Sequence, residues 1–351
     1  MFDIVIVGLG PAGSTLARLL GEKYKIFCLD KRELIEKENI YNKMDKCCGG
    51  LISEDAQKSL KKLGLNIPNN IIACDKVSKL DVWDFENNLK TRYSKIFYNI
   101  DRYKFDKWLI DMIPKNVRIE YNSRFLQVEK QNDDMYKIKY RKGNEIEEIT
   151  TKYLIGADGA NSLVRKSILK SKEDAPKYIA IQNWYKNTSN LDIQVSIIDK
   201  EITDFYSWII SKGKYILVGS ALKVGQDSHL KFEKLIDKIK EDGFKIDDDT
   251  FIKKQGMHIR RPVNPTKDIC LGDGNTFLIG EAAGLISPSS AEGYSYAFDS
   301  AMALSKGLRQ SEYSRNIKKI RLRIWFANNI KSILTYNDFL RKMFIRSGLK
   351  V

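Results

Sequence analysis

Histidine is nearly absent: the chain has two, His229 and His258, and neither has a recognisable nucleophile setting, so Ser-His-Asp chemistry has no support. None of the five cysteines (Cys28, Cys47, Cys48, Cys74, Cys270) belongs to a C-x-x-C pair, which leaves an iron–sulfur cluster or structural zinc without ligands. No metal is expected. The odd number and scatter of the cysteines suit a reducing compartment. No apolar run approaches the length of a membrane span, and the N-terminal one leads straight into a glycine turn, so neither a transmembrane helix nor a signal peptide is expected. The chain is expected in the cytoplasm or, at most, peripherally on the inner membrane face. Internal repeats and low-complexity linkers are missing too. Acidic residues are too few to balance basic ones, 45 against 60, and the net charge is +15. Such an excess draws nucleic acid or anionic lipid. A composition rich in Lys, Asn and Ile produces it without selecting a partner, and no nucleic-acid partner is expected.

What is present is a soluble globular composition, 43% apolar and 30% charged, in 351 residues that suit two lobes rather than one simple core. The organising stretch runs from Asp3 to Asp30. Ile4 to Val7 is an unbroken apolar run with branched side chains, as expected of a strand buried on both faces of a parallel sheet. Gly8, Gly10 and Gly13 follow at G-x-G-x-x-G spacing, with Pro11 and Ala12 inside it. The first glycine permits a tight turn, the second admits a pyrophosphate to the backbone, and the third lets a helix pack closely. That helix, Ser14 to Leu20, turns its N-terminal N–H groups toward the phosphates. A second strand, Lys25 to Leu29, ends on Asp30, placed to accept hydrogen bonds from ribose hydroxyls, with Lys31 next. An acid here favours an unphosphorylated ribose, FAD or NAD rather than NADP.

Further on, Ser53 suits the N-cap of a helix carrying Ala56, Leu60 and Leu63. Lys76 to Glu86, Leu89 to Ser94 and Lys95 to Ile100 read as strands of a separate sheet, and Arg102 to Ile113 as a helix stopped by Pro114. Short strands follow at Phe125 to Lys130, Met135 to Arg141 and Glu145 to Ile149. Tyr153 to Ala157 is a second apolar strand, ending in Asp158-Gly159 with a helix behind it from Ser162 to Leu169. From Tyr178 to Arg261 the pattern is mostly strand, broken by one amphipathic helix through Phe232, Leu235, Ile236 and Ile239. Thr276 to Ile279 is a third buried strand, leading through Gly280-Glu281-Ala282-Ala283-Gly284 to a helix from about Glu292. A nucleotide-binding domain is therefore expected from residues 1–75, 101–172 and 266–310, a substrate-binding β-sheet domain from 76–100 and 173–265, and a basic helical segment from 311–351.

In this order, the N-terminal fingerprint, Gly156-Ala157-Asp158-Gly159 and Gly280 to Gly284 resemble the three signatures of the FAD-dependent hydroxylases and reductases with the p-hydroxybenzoate hydroxylase fold. The resemblance implies an α/β protein: an FAD-binding Rossmann-like domain, an inserted, mostly antiparallel β-sheet substrate domain, and C-terminal helices. It implies FAD as cofactor, with Asp158 and Gly159 supporting the pyrophosphate. Glu281, where the family usually has Asp, is expected to reach the ribityl chain beside Gly280, with Ala282, Ala283 and Gly284 bringing backbone N–H groups close. Lys46-Cys47-Cys48-Gly49-Gly50 is similar to the K-x-C-G-G signature of the geranylgeranyl-reductase-like branch, which lies against the flavin ring. Ile100 to Asp106 resembles that branch's I/V-D-R-x-x-F-D helix start, with Arg102 facing the cofactor. Phe205-Tyr206-Ser207-Trp208 resembles the start of its Y-x-W-x-F-P substrate-side motif, with Ile210 and Ser211 in place of Phe-Pro. Ser287 to Gly293, containing Pro288, is similar to its N-P-L-T-G-E-G turn, whose proline edges the isoalloxazine. The resemblance runs from Asp3 to about Leu308.

Ordinary readings stand beside these: Cys47-Cys48 as packed small residues, and Tyr206 and Trp208 as core on one strand face. The reaction implied is reduction of a carbon–carbon double bond in an isoprenoid or other hydrophobic substrate, held by a wall of Trp184, Tyr185, Tyr206 and Trp208. Cys48 and Tyr206 are the catalytic candidates, as proton donors. No second glycine fingerprint exists, so either NAD(P)H binds transiently as electron donor or an acidic ferredoxin docks on the basic surface. The alternatives are a monooxygenase or halogenase of an aromatic substrate, or a non-catalytic flavin-binding redox sensor. Beyond Glu312, ten basic residues stand against Asp338 alone. Ile317, Ile320 and Ile324, then Ile330, Ile333, Leu334, Leu340 and Phe344, give apolar stripes around Trp325-Phe326. Such helices pack on the body through their stripes, or rest on an anionic membrane surface.

Overall fold

The computed structural model describes residues 1–32, 47–74, 77–131, 134–169, 177–225 and 227–347. β1 (Phe2–Val7) runs through the middle of the first sheet, with Ile4, Val5 and Ile6 fully buried. α1 (Pro11–Leu20) follows; it starts ahead of Ser14 because Pro11 suits the first helical position, where an N–H would lack a partner in any case. β2 (Ile26–Leu29) pairs parallel with β1, Ile4 opposite Ile26. After the two-residue β3 (Leu51–Ile52), Ser53 caps α2 (Glu54–Lys62) by accepting the Ala56 N–H. β4 (Val77–Asp84) and β5 (Leu89–Asn99) form a long hairpin. The two strands expected at 89–94 and 95–100 are one, since the in–out alternation runs on through Ser94 and Lys95. α3 (Arg102–Asp111) is capped by Asp101. β6 (Arg118–Glu120), too short to show a period, joins the edge of the first sheet beside β2.

β7 (Ser123–Lys130) and β8 (Tyr136–Lys142) lead antiparallel into β9 (Glu145–Gly156). β9 merges two expected strands: its polar first half pairs with β8, and its apolar second half runs parallel to β1. α4 (Leu163–Leu169) comes next. The second sheet is built largely from β10 (Tyr178–Lys186), β11 (Gln194–Ile198), β12 (Ser207–Lys212) and β13 (Tyr215–Lys223). α5 (Ser228–Glu241) buries Phe232, Leu235 and Ile239 against it, and β14 (Phe251–Ile259) closes its edge. The strand order is β14-β10-β13-β12-β11-β4-β5-β3, antiparallel except for β11 on β4.

The chain then returns through α6 (Pro265–Asp268), β15 (Gly272–Asp273) and β16 (Thr276–Leu278) to complete the first sheet in the order β15-β16-β9-β1-β2-β6. α7 (Tyr294–Ser305), α8 (Gln310–Asn316) and α9 (Lys318–Phe326) follow, then a π-helical turn over Ala327–Lys331, α10 (Ser332–Tyr336) and α11 (Asp338–Arg346). This is the α/β fold expected, with an inserted sheet and C-terminal helices. The last helices divide in their packing. Ile317, Ile320 and Ile324 are buried in the first core, whereas Ile330 and Ile333 face outward. Among the described residues, no helix is long and apolar enough to cross a membrane.

Candidate active site

The carboxyl ends of β1, β2, β9 and β16 open on one cavity of about 2100 Å³, as open parallel sheets place their ligand sites. Gly8 (φ +96°) turns the chain out of β1, and a Cβ on it would lie 2.7 Å from the Ala157 carbonyl oxygen. A Cβ on Gly13 would lie 1.9 Å from the Gly8 oxygen, so Gly13 sets helix against strand from behind the wall and does not line the cavity. Gly10 has nothing within 4 Å of where its Cβ would be, which leaves the turn open to a ligand. Pro11 and Ala12 lie beside it on the wall.

Asp30 lies on the wall at the end of β2, but its carboxylate is engaged. Oδ2 accepts the Leu9 N–H at 2.7 Å and Arg32 Nη2 at 3.0 Å; Oδ1 accepts the Arg32 backbone N–H at 2.8 Å and its Nε at 3.1 Å. Four donors fill four acceptor sites. In this arrangement Asp30 holds Arg32 and the Leu9 N–H. Arg32 in turn donates to Asp106 at 2.7 Å, Asp106 takes Arg102 Nε at 2.8 Å, and Arg102 Nη1 donates to the Tyr294 hydroxyl at 3.0 Å. That hydroxyl is 3.7 Å from Cys48 Sγ. Burial alone would lower the Arg32 pKa, but Asp30 and Asp106 outweigh it and hold it above its ordinary value. Burial pushes the Tyr294 pKa well up, against the pull of Arg102. Arg32 and Tyr294 escaped the sequence reading because Asp106, Arg102 and Cys48, which tie them into this run of contacts, are far from them in the chain.

The other expected residues sort into wall and scaffold. Lys31, Cys48, Gly49, Gly50, Arg102, Asp158, Glu281, Gly293, Tyr206 and Trp208 line the cavity. Lys46 lies outside the described residues. The Asp158 carboxylate accepts Ser162 Oγ at 2.5 Å and the Leu163 N–H at 2.7 Å, so it caps the start of α4. Burial raises its pKa against those same hydrogen bonds. Glu281 Oε1 accepts the Arg260 N–H at 3.1 Å. Gly280, Ala283 and Gly284 stand behind the wall, contrary to expectation. Their tight turn keeps them there: a Cβ on Gly284 (φ +77°) would lie 2.4 Å from the Asp268 oxygen. Pro288 is also displaced from the wall, buried with its carbonyl accepting Arg261 Nε at 3.0 Å, while Ser287 and Ser289 line the cavity.

Trp184 is not part of the wall. Its indole N–H donates to Gln255 Oε1 at 2.7 Å and its ring packs edge-on against Tyr215, which holds it in the sheet. Tyr185 points to the opposite face, into the core under α5. Two wall features went unread. The Cys48-Gly49-Gly50 turn rests on β12: Ile210 Cδ1 is 2.5 Å from where a Gly49 Cβ would be, and Lys212 lies under Gly50. Lys212 Nζ donates to the Ile100 carbonyl and to Asn99 Oδ1, and burial lowers its pKa to about 8. The C-terminal helices also contribute Leu322, Trp325, Phe326 and Tyr336, the last donating its hydroxyl to the Ser289 carbonyl at 2.7 Å. Among the described residues, no cluster of His, Cys, Asp or Glu could hold a metal ion.

Residues 98–313 match the family described as FAD binding domain. The chain belongs to that family. This FAD-binding protein is similar to Protein CbrA of Escherichia coli O139:H28 (strain E24377A / ETEC), 37% identical over 354 residues that cover 99% of this chain and 97% of CbrA. Its fold is similar to that of a geranylgeranyl bacteriochlorophyll reductase-like protein from Thermoplasma acidophilum, with a TM-score of 0.80 at 22% identity over 100% of this chain and 92% of the other. PqsL of Pseudomonas aeruginosa, solved in complex with 2-aminobenzoylacetate, gives 0.67 at 14% identity over 96% of this chain and 99% of PqsL. At such identities these two likenesses speak for the fold. FAD is the cofactor of this flavoprotein oxidoreductase family, and the open glycine turn at the end of β1 fits a dinucleotide's pyrophosphate.

Proposed function

We propose that this FAD-dependent oxidoreductase reduces a carbon–carbon double bond in an isoprenoid or other hydrophobic substrate. What supports the reading is the cavity. At about 2100 Å³ it is at least twice the usual ligand pocket, and beyond the glycine turn its wall includes Tyr206, Trp208, Ile210 and Tyr336. The Gly8-to-Gly13 turn would hold the pyrophosphate, Lys31 and Arg32 would flank the adenosine end, and Glu281 would meet the ribityl chain. Cys48, Gly49, Gly50 and Gly293 would lie against the ring. Bound and reduced, FAD supplies a hydride. NAD(P)H or a ferredoxin supplies the electrons, the latter favoured by the positive charge of the chain.

The chain's own part is to hold the alkene, exclude water and bring a proton to the second carbon. Tyr206 is poorly suited to the last task, since its hydroxyl donates to the Ser290 carbonyl at 2.7 Å and burial pushes its pKa up. Cys48 is better placed. Arg102 can only donate, so it occupies a lone pair of the Tyr294 oxygen and leaves the Tyr294 proton free to turn toward Sγ. Tyr294 then steadies the thiolate that remains once Cys48 gives up its proton. Anaerobic reoxidation of the reduced protein by polyprenyl alkenes tests this. Wild type should reoxidise, and Cys48→Ala and Tyr294→Phe should each slow the step about 100-fold while keeping the flavin spectrum. Inertness toward every alkene, with NADPH-driven oxygen uptake stimulated by aromatic compounds, would establish a monooxygenase instead.

A further inference from the structure

The C-terminal helices leave an apolar face turned to water. Leu322, Trp325 and Phe326 on α9, Ile330 and Ile333 on the turns after it, and Phe339 on α11 are all exposed, Leu322 by 64% and Phe339 by 69%. Single exposed apolar side chains are ordinary, but a cluster of this size on one segment is not. It is not the stripe by which the tail docks, because that role belongs to Ile317, Ile320 and Ile324, already buried in the body. Lys318, Lys319, Arg321 and Lys331 are exposed on the same segment. Its acid, Asp338, is engaged by Arg341 and Lys200. Leu322, Trp325 and Phe326 also line the cavity, as do Lys331 and, from β5, Lys95 and Ile96. The mouth of the cavity therefore opens within a face that is both greasy and basic.

We propose that this face rests on a bilayer surface containing anionic phospholipid, with the cavity mouth turned toward the lipid. Aromatic and aliphatic side chains that enter the headgroup region, flanked by lysines that meet its negative charge, are what an interfacial helix requires. A second copy of the chain fits less well, since pairing the face with itself would set lysine against lysine. The readout is binding, not turnover, so the proposal stands or falls separately from the proposed reaction.

The FAD-loaded full chain is mixed with vesicles of phosphatidylcholine alone and with vesicles of phosphatidylcholine and phosphatidylglycerol, then sedimented. The wild-type protein should follow the mixed vesicles and not the neutral ones, and its tryptophan emission should shift to the blue. Leu322→Ser with Phe326→Ser, and separately Lys318→Glu with Lys319→Glu, should each weaken binding by at least about tenfold, and Trp325→Phe should remove the shift. The melting temperature should be preserved, since these side chains are exposed, and all variants are compared at saturating FAD. Absence of sedimentation with the mixed vesicles would overturn the proposal, and so would binding unchanged in both double variants. Concentration-dependent dimerisation abolished by Leu322→Ser with Phe326→Ser would overturn it in favour of a second copy as occupant.

Discussion

Arg32 Nη1 lies 2.7 Å from Asp106 Oδ2, joining the end of the second strand to a helix that begins some seventy residues later in the chain. Asp106 also holds Arg102, so one buried carboxylate serves two arginines. Burial would raise its pKa, yet Arg102 and Arg32 prevail and hold it below its ordinary value. The folded pKa is thus below the unfolded one, so the stability it contributes is present above about pH 3.9 and is lost as pH falls through the folded value. Asp106→Asn should cost about 3–5 kcal/mol at neutral pH, and the variant should show a shallower loss of stability in acid. Denaturant melts across the acid range, with and without FAD, measure both.

Gly10 and Gly13 belong to one motif but should fail differently. Gly13→Ala sets a Cβ 1.9 Å from the Gly8 oxygen and should destabilise the apoprotein by about 1–3 kcal/mol or more. Gly10→Ala meets no protein atom within 4 Å, so the apoprotein should melt as wild type does. Its flavin affinity should nevertheless fall by about tenfold or more, because the methyl occupies the ligand's space. Equal FAD affinity in Gly10→Ala and wild type, by fluorescence titration, would refute the cradle.

Lys212 gives a signature in base. Its folded pKa of about 8, set by burial against the opposing pull of Cys48, lies below that of an unfolded lysine. Between the two values the unfolded chain binds the extra proton, so stability from this group rises with pH from about 8 to about 10.4. The rise amounts to about 3 kcal/mol. Subtracting the Lys212→Met pH–stability curve from that of wild type should isolate this slope. A flat difference would show that the amine is not buried as described.

Arg341 anchors the tail. It is 3% exposed, and its Nε and Nη2 donate to Asp84 at 2.7 and 3.0 Å, with Glu86 at 2.9 Å. Arg341→Ala leaves Asp84 buried without its cation, at about 3–5 kcal/mol. Limited proteolysis should then cut after Lys331, where wild type resists. Arg341→Lys should rescue only partly, because an ammonium cannot match the paired contact.

Much of this was readable in advance where the requirement is local. The turn after β1 needs glycine at fixed spacing, Ser53 and Asp101 announce helix starts, and apolar runs mark β1 and the second half of β9. Elements of two or three residues, such as β3 and β6, carry no period to read. Motif membership also misled at single positions. Pro288 and Gly284 sit in motifs that reach the cavity, yet each is held back by its own neighbour, Arg261 and Asp268, and Trp184, expected in the wall, is held in the sheet by Gln255.

By itself the sequence determined an α/β nucleotide-binding unit returning in separate segments, an inserted sheet and a basic tail, because backbone conformation and side-chain period are short-range properties. Only the tertiary structure decided that Asp30 spends its lone pairs on Arg32, that Lys212 lies under the Gly50 turn, and that the tail turns one stripe inward and helps to wall the cavity. Each of these depends on the distance between groups far apart in the chain. A hydrogen bond or an ion pair exists at about 3 Å and not at twice that separation, and folding alone sets those distances.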